Sequence, residues 1–227
     1  MNDKINPVFR QAFQKTIPVM MGYVPIGIAF GFLLAKSGFY WLYAPFMSVA
    51  IYSGATQFLA IGFFINNAPL IEVAVATLLL NLRHCFFGLS LIRKFTGIPF
   101  VKPYLIFALT DETYALLTSM EQPDEHSKQR FYFYISLLNH LYWITGSFVG
   151  ALLGHLITIN IKGLEFALTA LFVVLTVEQH GQVKSLKPFG IALAAGIFSL
   201  VLVAPQYMLL TSILIGTGLL ILFRDKQ

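Results

Sequence analysis

The chain has 227 residues, of which 57% are hydrophobic and only 11% are charged. Ordinary globular domains carry roughly 25% charged residues, so this composition predicts an integral membrane protein and argues against a soluble enzyme or binding domain. The net charge of +5 comes from Lys and Arg in short connections between apolar runs. That distribution is typical of membrane orientation by positive loops and not of nucleic-acid binding.

Eight apolar stretches approach the roughly 20 residues that a helical span needs. They cover residues 16–35, 42–65, 69–92, 104–120, 131–157, 164–181, 188–204 and 206–223. They leave no room for a soluble domain of about 50 residues or more. The predicted fold class is therefore an all-α polytopic membrane protein.

The first stretch follows a basic N-terminus, as in a signal peptide. It is longer than the roughly 7–15 residues of a signal-peptide core, and further spans follow, so it is interpreted as the first membrane helix. Pro18, Gly22, Pro25 and Gly27 make it a candidate for a kinked or interrupted helix.

The second stretch contains "IYSGATQFLA" at residues 51–60, with Ser53, Gly54, Thr56 and Gln57 at its centre. A glycine among small hydroxyl side chains permits a helix to unwind and to expose backbone groups to a ligand. The alternative is that these small residues serve only close helix packing.

The third stretch contains "NLRH", with Asn81, Arg83 and His84 inside an apolar run. An Arg near the centre of a span costs about 2.5–3.5 kcal/mol on insertion scales. At about 100° per residue, Asn81 and Arg83 lie about 200° apart on a helix, so protein or water must surround the helix there, or its backbone must be irregular. In the alternative interpretation Arg83 reaches the membrane edge.

The fourth stretch is interrupted by Asp111 and Glu112. These acids are the expected counter-charges for Arg83, and such a network would have at least one proton to exchange. Alternatively, Thr110 caps a short helix whose first turn carries both acids. Both interpretations hold together if a helix begins within the membrane.

The fifth stretch carries a polar and small-residue stripe at steps of three and four. Its members are Ser136, Asn139, His140, Trp143, Gly146 or Ser147, and Gly150. Residues 142–154 of this stretch also align without gaps to residues 23–35, at an offset of 119 and with shared Tyr, Gly and Leu positions. The alignment indicates either a repeat-built transporter or two ordinary small-residue packing faces.

Basic residues place the C-terminus in the cytoplasm if each of the last four stretches spans once. Arg93, Lys94 and Lys102 form a second basic cluster. If residues 104–120 span the membrane, this cluster lies on the side opposite the cytoplasm. If they re-enter, it lies on the cytoplasmic side. Seven or eight membrane segments fit these charges, and six stays open.

The histidines lack metal-ligand spacing, and the chain has no P-loop sequence. Asp111 also has no obvious Asp partner for intramembrane proteolysis. We therefore predict no enzyme activity, no metal and no cofactor.

The chain resembles the AzlC family of bacterial branched-chain amino acid exporters. The resemblance rests on "GYVPIGIAFG" (22–31), "SGATQF" (53–58), "NLRH" with "GLSL" (81–91) and "LTDETYAL" (109–116). It runs in order over about residues 15–180, and Glu165 stands where the family has Asp. The last two stretches match only in being apolar.

This resemblance implies the large subunit of an exporter, with residues 1–227 as a single integral membrane transporter domain in the bacterial cytoplasmic (inner) membrane. It implies a small hydrophobic partner of AzlD type, proton coupling, and valine, leucine, isoleucine or methionine as substrates. A channel-like pore and a non-transporting scaffold subunit are the rival functions.

A zwitterionic amino acid needs an N–H-rich or positive site, an acceptor for its ammonium and an apolar pocket. The residues predicted to bind it are Gly54, Thr56, Gln57, Asn81, Arg83, Asn139 and Trp143, with Phe58 and Phe86 beside Trp143 in the pocket. Those predicted to couple protons are His84, Asp111 and Glu112.

Overall fold

The computed structural model describes residues 7–92, 94–98, 100–119, 125–157, 173, 176, 177, 186–203 and 208–222. Within them the regular structure is entirely helical, which confirms the predicted fold class. The helices are α1 (Pro7–Lys36), α2 (Tyr43–Ala50), α3 (Gly54–Ile65), α4 (Leu70–Leu91), α5 (Lys102–Phe107), α6 (Asp111–Ser119), α7 (Glu125–Leu156), α8 (Lys187–Leu202) and α9 (Met208–Leu222). The predicted stretch 164–181 lies almost wholly outside the described residues.

The chain divides into two compact units. The first comprises Met1–Ile61 and Asn81–Ile161, and the second comprises Gly62–Leu80 and Lys162–Gln227. In the second unit α8 packs against α9, and α8 exposes several large apolar side chains, among them Leu193, Leu200, Val201 and Leu202. All the predicted site residues belong to the first unit.

Helix α1 is continuous over 30 residues although it contains Pro18 and Pro25. An interruption of this helix is therefore wrong, and a kink in it stays a prediction. The two prolines remove two backbone N–H donors without ending the helix. In the described part of the chain, α1 alone is both long and apolar enough to cross a membrane. The second and fourth predicted stretches are each broken into shorter helices.

Helices α1 and α7 touch backbone to backbone across their small residues. A Cβ atom on Gly146 would lie 2.7 Å from the Val24 carbonyl oxygen, and one on Gly27 would lie 3.1 Å from the Ser147 nitrogen. A Cβ on Gly31 would overlap the opposite backbone outright. The packing role of these faces is thus confirmed, and the repeat stays a prediction.

The second predicted stretch forms a hairpin of α2 and α3, which we call the first hairpin. Residues 51–53 separate the two helices, and Tyr52 adopts a left-handed φ of 44°, uncommon for a residue other than glycine. The Gln57 amide nitrogen of α3 donates to the Ser48 hydroxyl of α2 at 3.0 Å, so the chain turns back on itself. The predicted unwinding beside Gly54 is confirmed.

The fourth predicted stretch forms the second hairpin, of α5 and α6. Thr110 caps α6, because its hydroxyl accepts the Thr113 N–H at 3.2 Å. At the other end of α6, the Lys94 ammonium donates to the Leu117 carbonyl at 2.7 Å. The N-terminus of this short helix is therefore capped by a hydroxyl, and its C-terminus is stabilised by a positive charge, as the helix dipole favours.

The second hairpin begins and ends at the same apolar cluster. This cluster joins the start of α1, the end of α4, both helices of the hairpin and the start of α7. It includes Ala12, Leu91, Phe95, Leu105, Leu117, Phe131 and Tyr132. Lys94 and Lys102 therefore lie at the same end as Lys128 and Arg130, which we call the basic end. The second hairpin thus folds back towards the end from which it starts, and its re-entry into a membrane stays a prediction.

Replacing Gly31 with Ala should destabilise the protein by about 1–3 kcal/mol, since the added methyl must push α1 away from the α7 backbone. Thermal unfolding in detergent measures this effect. Gly22→Ala in the same helix is the matched control, because a Cβ there meets nothing within 4 Å. Equal unfolding midpoints for the two variants would contradict the direct backbone contact.

Candidate functional site

The turns of the two hairpins meet beside α7. The Tyr52 ring, in the turn of the first hairpin, stacks on His140 with 4.1 Å between ring centroids. Phe107, the last residue of α5, lies 5.9 Å from the same imidazole and 6.4 Å from the Tyr52 ring. The two places where helices are interrupted are thus in contact with one another.

The first hairpin is bonded to α7 through Gln57. The Trp143 indole N–H donates to the Gln57 Oε1 atom at 2.8 Å, and Gln57 Nε2 donates to the Ser48 hydroxyl. The Ser48 hydroxyl in turn donates to the Ser147 hydroxyl at 2.7 Å. All four side chains are buried. The structure therefore brings the predicted residues Gln57 and Trp143 together.

The start of α3 is bonded to α4 through Asn81. The Asn81 Nδ2 atom donates to the Thr56 hydroxyl at 2.9 Å, and its Oδ1 atom accepts from the Ser53 hydroxyl at 3.1 Å. Gly54 lies at the same place, under the Trp143 ring. The predicted residues Gly54, Thr56 and Asn81 thus surround one helix N-terminus.

The second hairpin is bonded to α7 through Asn139. The Asn139 Nδ2 atom donates to the Thr113 hydroxyl at 3.0 Å. Asn139 is fully buried, and among the described residues its Oδ1 atom has no hydrogen-bond partner. Burying an amide oxygen in this way costs about 1–3 kcal/mol, and a bound ligand could recover that cost.

Two residues that the sequence analysis did not assign to the site also hold it together. The Tyr23 hydroxyl on α1 lies 2.7 Å from Thr110 Oγ1 and 2.6 Å from Glu112 Oε2. His140 contacts the Ser48 carbonyl oxygen through Nε2 at 3.1 Å and the Tyr104 hydroxyl through Nδ1 at 3.2 Å. Two sequence features could have identified them. His140 belongs to the polar stripe of the fifth stretch, and Tyr23 aligns with Tyr142 in the internal alignment.

The structure leaves part of the predicted charge network untested. Arg83 lies in the α4 helix, but its side chain, like that of Phe86, is outside the described residues. Asp111 and Glu112 occupy the first turn of α6, and the His84 ring lies edge-on to Phe87 at 5.7 Å. The ion pair between Arg83 and an acid stays a prediction.

We call the hydrogen-bonded groups around the two turns the central cluster. They are Tyr23, Ser48, Gln57, Thr110, Glu112, Thr113, Asn139, His140, Trp143 and Ser147. They offer hydrogen-bond donors and acceptors, a carboxylate and aromatic faces. In the described part of the chain, no group of three His, Cys, Asp or Glu side chains could hold a metal ion.

The family model described as "AzlC protein" matches residues 18–157. The chain belongs to the AzlC family. The matched range contains both hairpins and every predicted site residue. No solved structure matches the chain.

Similar proteins occur in distantly related bacteria. A membrane protein of Helicobacter pylori strain 26695 is 39% identical over 218 residues, covering 96% of each chain. The branched-chain amino acid transport protein AzlC of Bacillus subtilis is 34% identical over 216 residues, covering 95% of this chain and 85% of that one. The inner membrane protein YgaZ of Escherichia coli is 26% identical over 185 residues, covering 78% and 76%. These relatives confirm that the chain is a membrane protein.

Replacing Gly54 with Ala should displace the Trp143 ring, because the new Cβ would lie 3.0 Å from its Cη2 atom. A shifted indole loses its bond to Gln57, so the emission of Trp143 should change in a Trp41→Phe background, which removes the second of the two tryptophans. Gly62→Ala, in the same helix and facing open space, should leave the emission unchanged. Identical spectra for both variants would show that Gly54 does not position the indole.

Proposed function

We propose that this AzlC-family protein is the large subunit of an exporter for branched-chain amino acids, driven by the proton gradient. The observation that carries the proposal is the meeting of two interrupted helices beside one polar stripe of α7. Transporter sites form where discontinuous helices expose their ends inside a membrane protein. The Bacillus subtilis relative is named as a branched-chain amino acid transport protein, which supports the substrate class.

The start of α3 is proposed to receive the substrate carboxylate. A helix N-terminus presents backbone N–H groups and a partial positive charge. Gly54 lets the Trp143 ring lie against this backbone, while Thr56 and Asn81 add polar side-chain atoms. Arg83 is the proposed second source of positive charge.

The substrate ammonium is proposed to bind near Asn139. The buried Asn139 Oδ1 atom makes no hydrogen bond to the described residues and is an acceptor by chemistry. The Glu112 carboxylate reaches the same hydrogen-bonded group through Tyr23 and Thr110. An acceptor and a negative charge together suit an ammonium group.

The aliphatic side chain of the substrate is proposed to lie against aromatic rings. Phe30 packs between Phe58, at 5.4 Å, and Trp143, at 6.3 Å between centroids. These rings are buried, and burial of a Leu-sized side chain against them would contribute about 1.5–3 kcal/mol. Phe86 was predicted to complete the pocket.

We propose that Asp111, Glu112 or His84 binds the coupled proton. The protein would act in the bacterial cytoplasmic membrane together with a small hydrophobic subunit of AzlD type. Its basic end would face the cytoplasm by the positive-inside rule, as would its C-terminus. The chain would need no cofactor and catalyse no chemical reaction.

Inverted membrane vesicles that contain this chain and an AzlD-type partner should accumulate radiolabelled leucine when their interior is acidified. Replacing Asp111 with Asn or Glu112 with Gln should abolish this accumulation in at least one case, because an amide cannot carry the exchanged proton. Vesicles with the partner alone serve as the control. Proton-independent leucine flux in the wild type would favour a pore, and full activity of both amide variants would place the proton site elsewhere.

The Trp143→Ala variant should shift the preference of the transporter towards bulkier amino acids, since it enlarges the apolar pocket. Gln57→Ala should instead raise KM for all substrates alike, by about tenfold for the loss of one or two buried hydrogen bonds. Competition of unlabelled amino acids against leucine uptake measures both effects. Asn66→Ala, which removes an exposed amide beyond α3, is the control. Unchanged selectivity and KM in both site variants would move the substrate away from α3 and α7.

A further inference from the structure

We propose that Tyr23 is a positioning residue that couples the protonation of Glu112 to the substrate-binding side chains Asn139 and Trp143. This inference rests on the proposed function and assigns the proton to Glu112. Tyr23 is buried, whereas Glu112 is exposed. The tyrosine therefore lies between an accessible carboxylate and the buried part of the central cluster.

The geometry allows two hydrogen-bond arrangements. The Tyr23 oxygen lies within hydrogen-bond distance of Thr110 Oγ1, at 2.7 Å, and of Glu112 Oε2, at 2.6 Å. A phenol carries only one proton to donate. One of these two contacts must therefore be donated to Tyr23, and the protonation state of Glu112 decides which.

When Glu112 is ionised, its carboxylate accepts the Tyr23 proton, since a carboxylate can only accept. Tyr23 then accepts from the Thr110 hydroxyl, and Thr110 accepts from the Thr113 hydroxyl. Both bonds are then reversed relative to the structure, where Tyr23 donates to Thr110 and Thr110 donates to Thr113 at 3.0 Å. Thr113 accepts from the Asn139 amide. Donation runs from the buried asparagine outward to the carboxylate.

When Glu112 gains a proton, its carboxyl group donates to Tyr23. The Tyr23 proton then points to Thr110, and the Thr110 proton to Thr113. Donation now runs inward, and the Thr113 proton must find another acceptor. One candidate acceptor is the Tyr52 hydroxyl, which interacts with the Thr113 and Tyr23 side chains. The other is the buried Asn139 Oδ1 atom, which has no hydrogen-bond partner among the described residues, so substrate binding at Asn139 competes with this proton.

The Tyr23 ring also links the protonation of Glu112 to the apolar pocket. Its edge packs on the Trp143 indole at 5.6 Å between centroids and 74° between planes. A change of partner at the hydroxyl alters the position of the ring and hence its contact with Trp143. Tyr23 thus touches, directly or through two threonines, both side chains proposed to contact substrate.

Other titratable groups in the described part of the chain surround this pair. They are Tyr52 of the first hairpin, Tyr104 and Asp111 of the second, and His140 of α7. Helix α4 carries His84, whose ring lies against Phe87. His140 is the strongest competitor, because it lies on α7 near Trp143 and bonds both hairpins.

The first test uses Trp143 fluorescence in the purified full-length protein with Trp41→Phe as background. Emission should change with pH in a single step, and Glu112→Gln and Tyr23→Phe should each abolish that step. Tyr142→Phe, which removes a hydroxyl bonded to Thr16 between the same two helices, should retain it. His140→Gln tests the competing imidazole. A step that survives in Tyr23→Phe, or that vanishes only with His140, would overturn the proposal.

The second test separates coupling from binding in proteoliposomes. Tyr23→Phe should retain leucine exchange at zero proton gradient but lose about tenfold or more of proton-driven net uptake, as expected for a lost hydrogen bond to a charged group. Tyr142→Phe should keep both activities. If Tyr23→Phe lost exchange and net uptake equally, Tyr23 would have only a structural role and the proposed coupling would be wrong. Absence of transport in the wild type would instead refute the proposed function, while the fluorescence step would still decide the coupling between Glu112 and Trp143.

Discussion

Direct backbone contact between α1 and α7 is the constraint on which the first unit depends. Each hairpin is attached to α7 by a short hydrogen bond, from Trp143 to Gln57 and from Asn139 to Thr113. Tyr23 of α1 reaches the second hairpin only because α1 lies against α7 without intervening side chains. Ordinary helix pairs are 8–10 Å apart, and a widening of even a few tenths of an ångström would stretch the 2.6 Å contact between Tyr23 and Glu112.

The polar stripe of α7 also supplies hydrogen-bond partners near the turns of the two hairpins. A turn inside a membrane protein contains backbone groups that no helix satisfies, and lipid cannot bond them. Here His140 bonds the Ser48 carbonyl near the first turn, and Thr110 caps the helix that follows the second. The groups that stabilise the turns are therefore the same groups that would meet a ligand, so fold and site cannot be varied independently in this unit.

Sequence reasoning succeeded where local chemistry decides the structure. Gly54 among hydroxyls marked the broken second stretch, and Thr110 before two acids marked the start of α6. It was wrong about an interruption at Pro18 or Pro25, because a proline removes a donor whether or not the helix continues, and tertiary packing decides the outcome.

Other features depended on contacts that the sequence does not display. The charges alone allowed the fourth stretch either to span or to re-enter, and only the shared apolar cluster at the basic end shows that this stretch folds back on itself. Tyr23 was missed because tyrosine is common in membrane helices and its partners Thr110 and Glu112 lie 87 and 89 residues away.

The pairing of α1 with α7 has a consequence for how the protein is made. The two glycine faces are separated by 119 residues in the chain, and ribosomes add about 5–20 residues per second. The glycine face of α7 is therefore synthesised about 6–24 s after the glycine face of α1. During that interval both hairpins have been made without the helix that satisfies their turns. A nascent chain in this state would expose unbonded backbone groups to lipid. We therefore expect α1 and the hairpins to remain in contact with the insertion machinery until α7 has been synthesised.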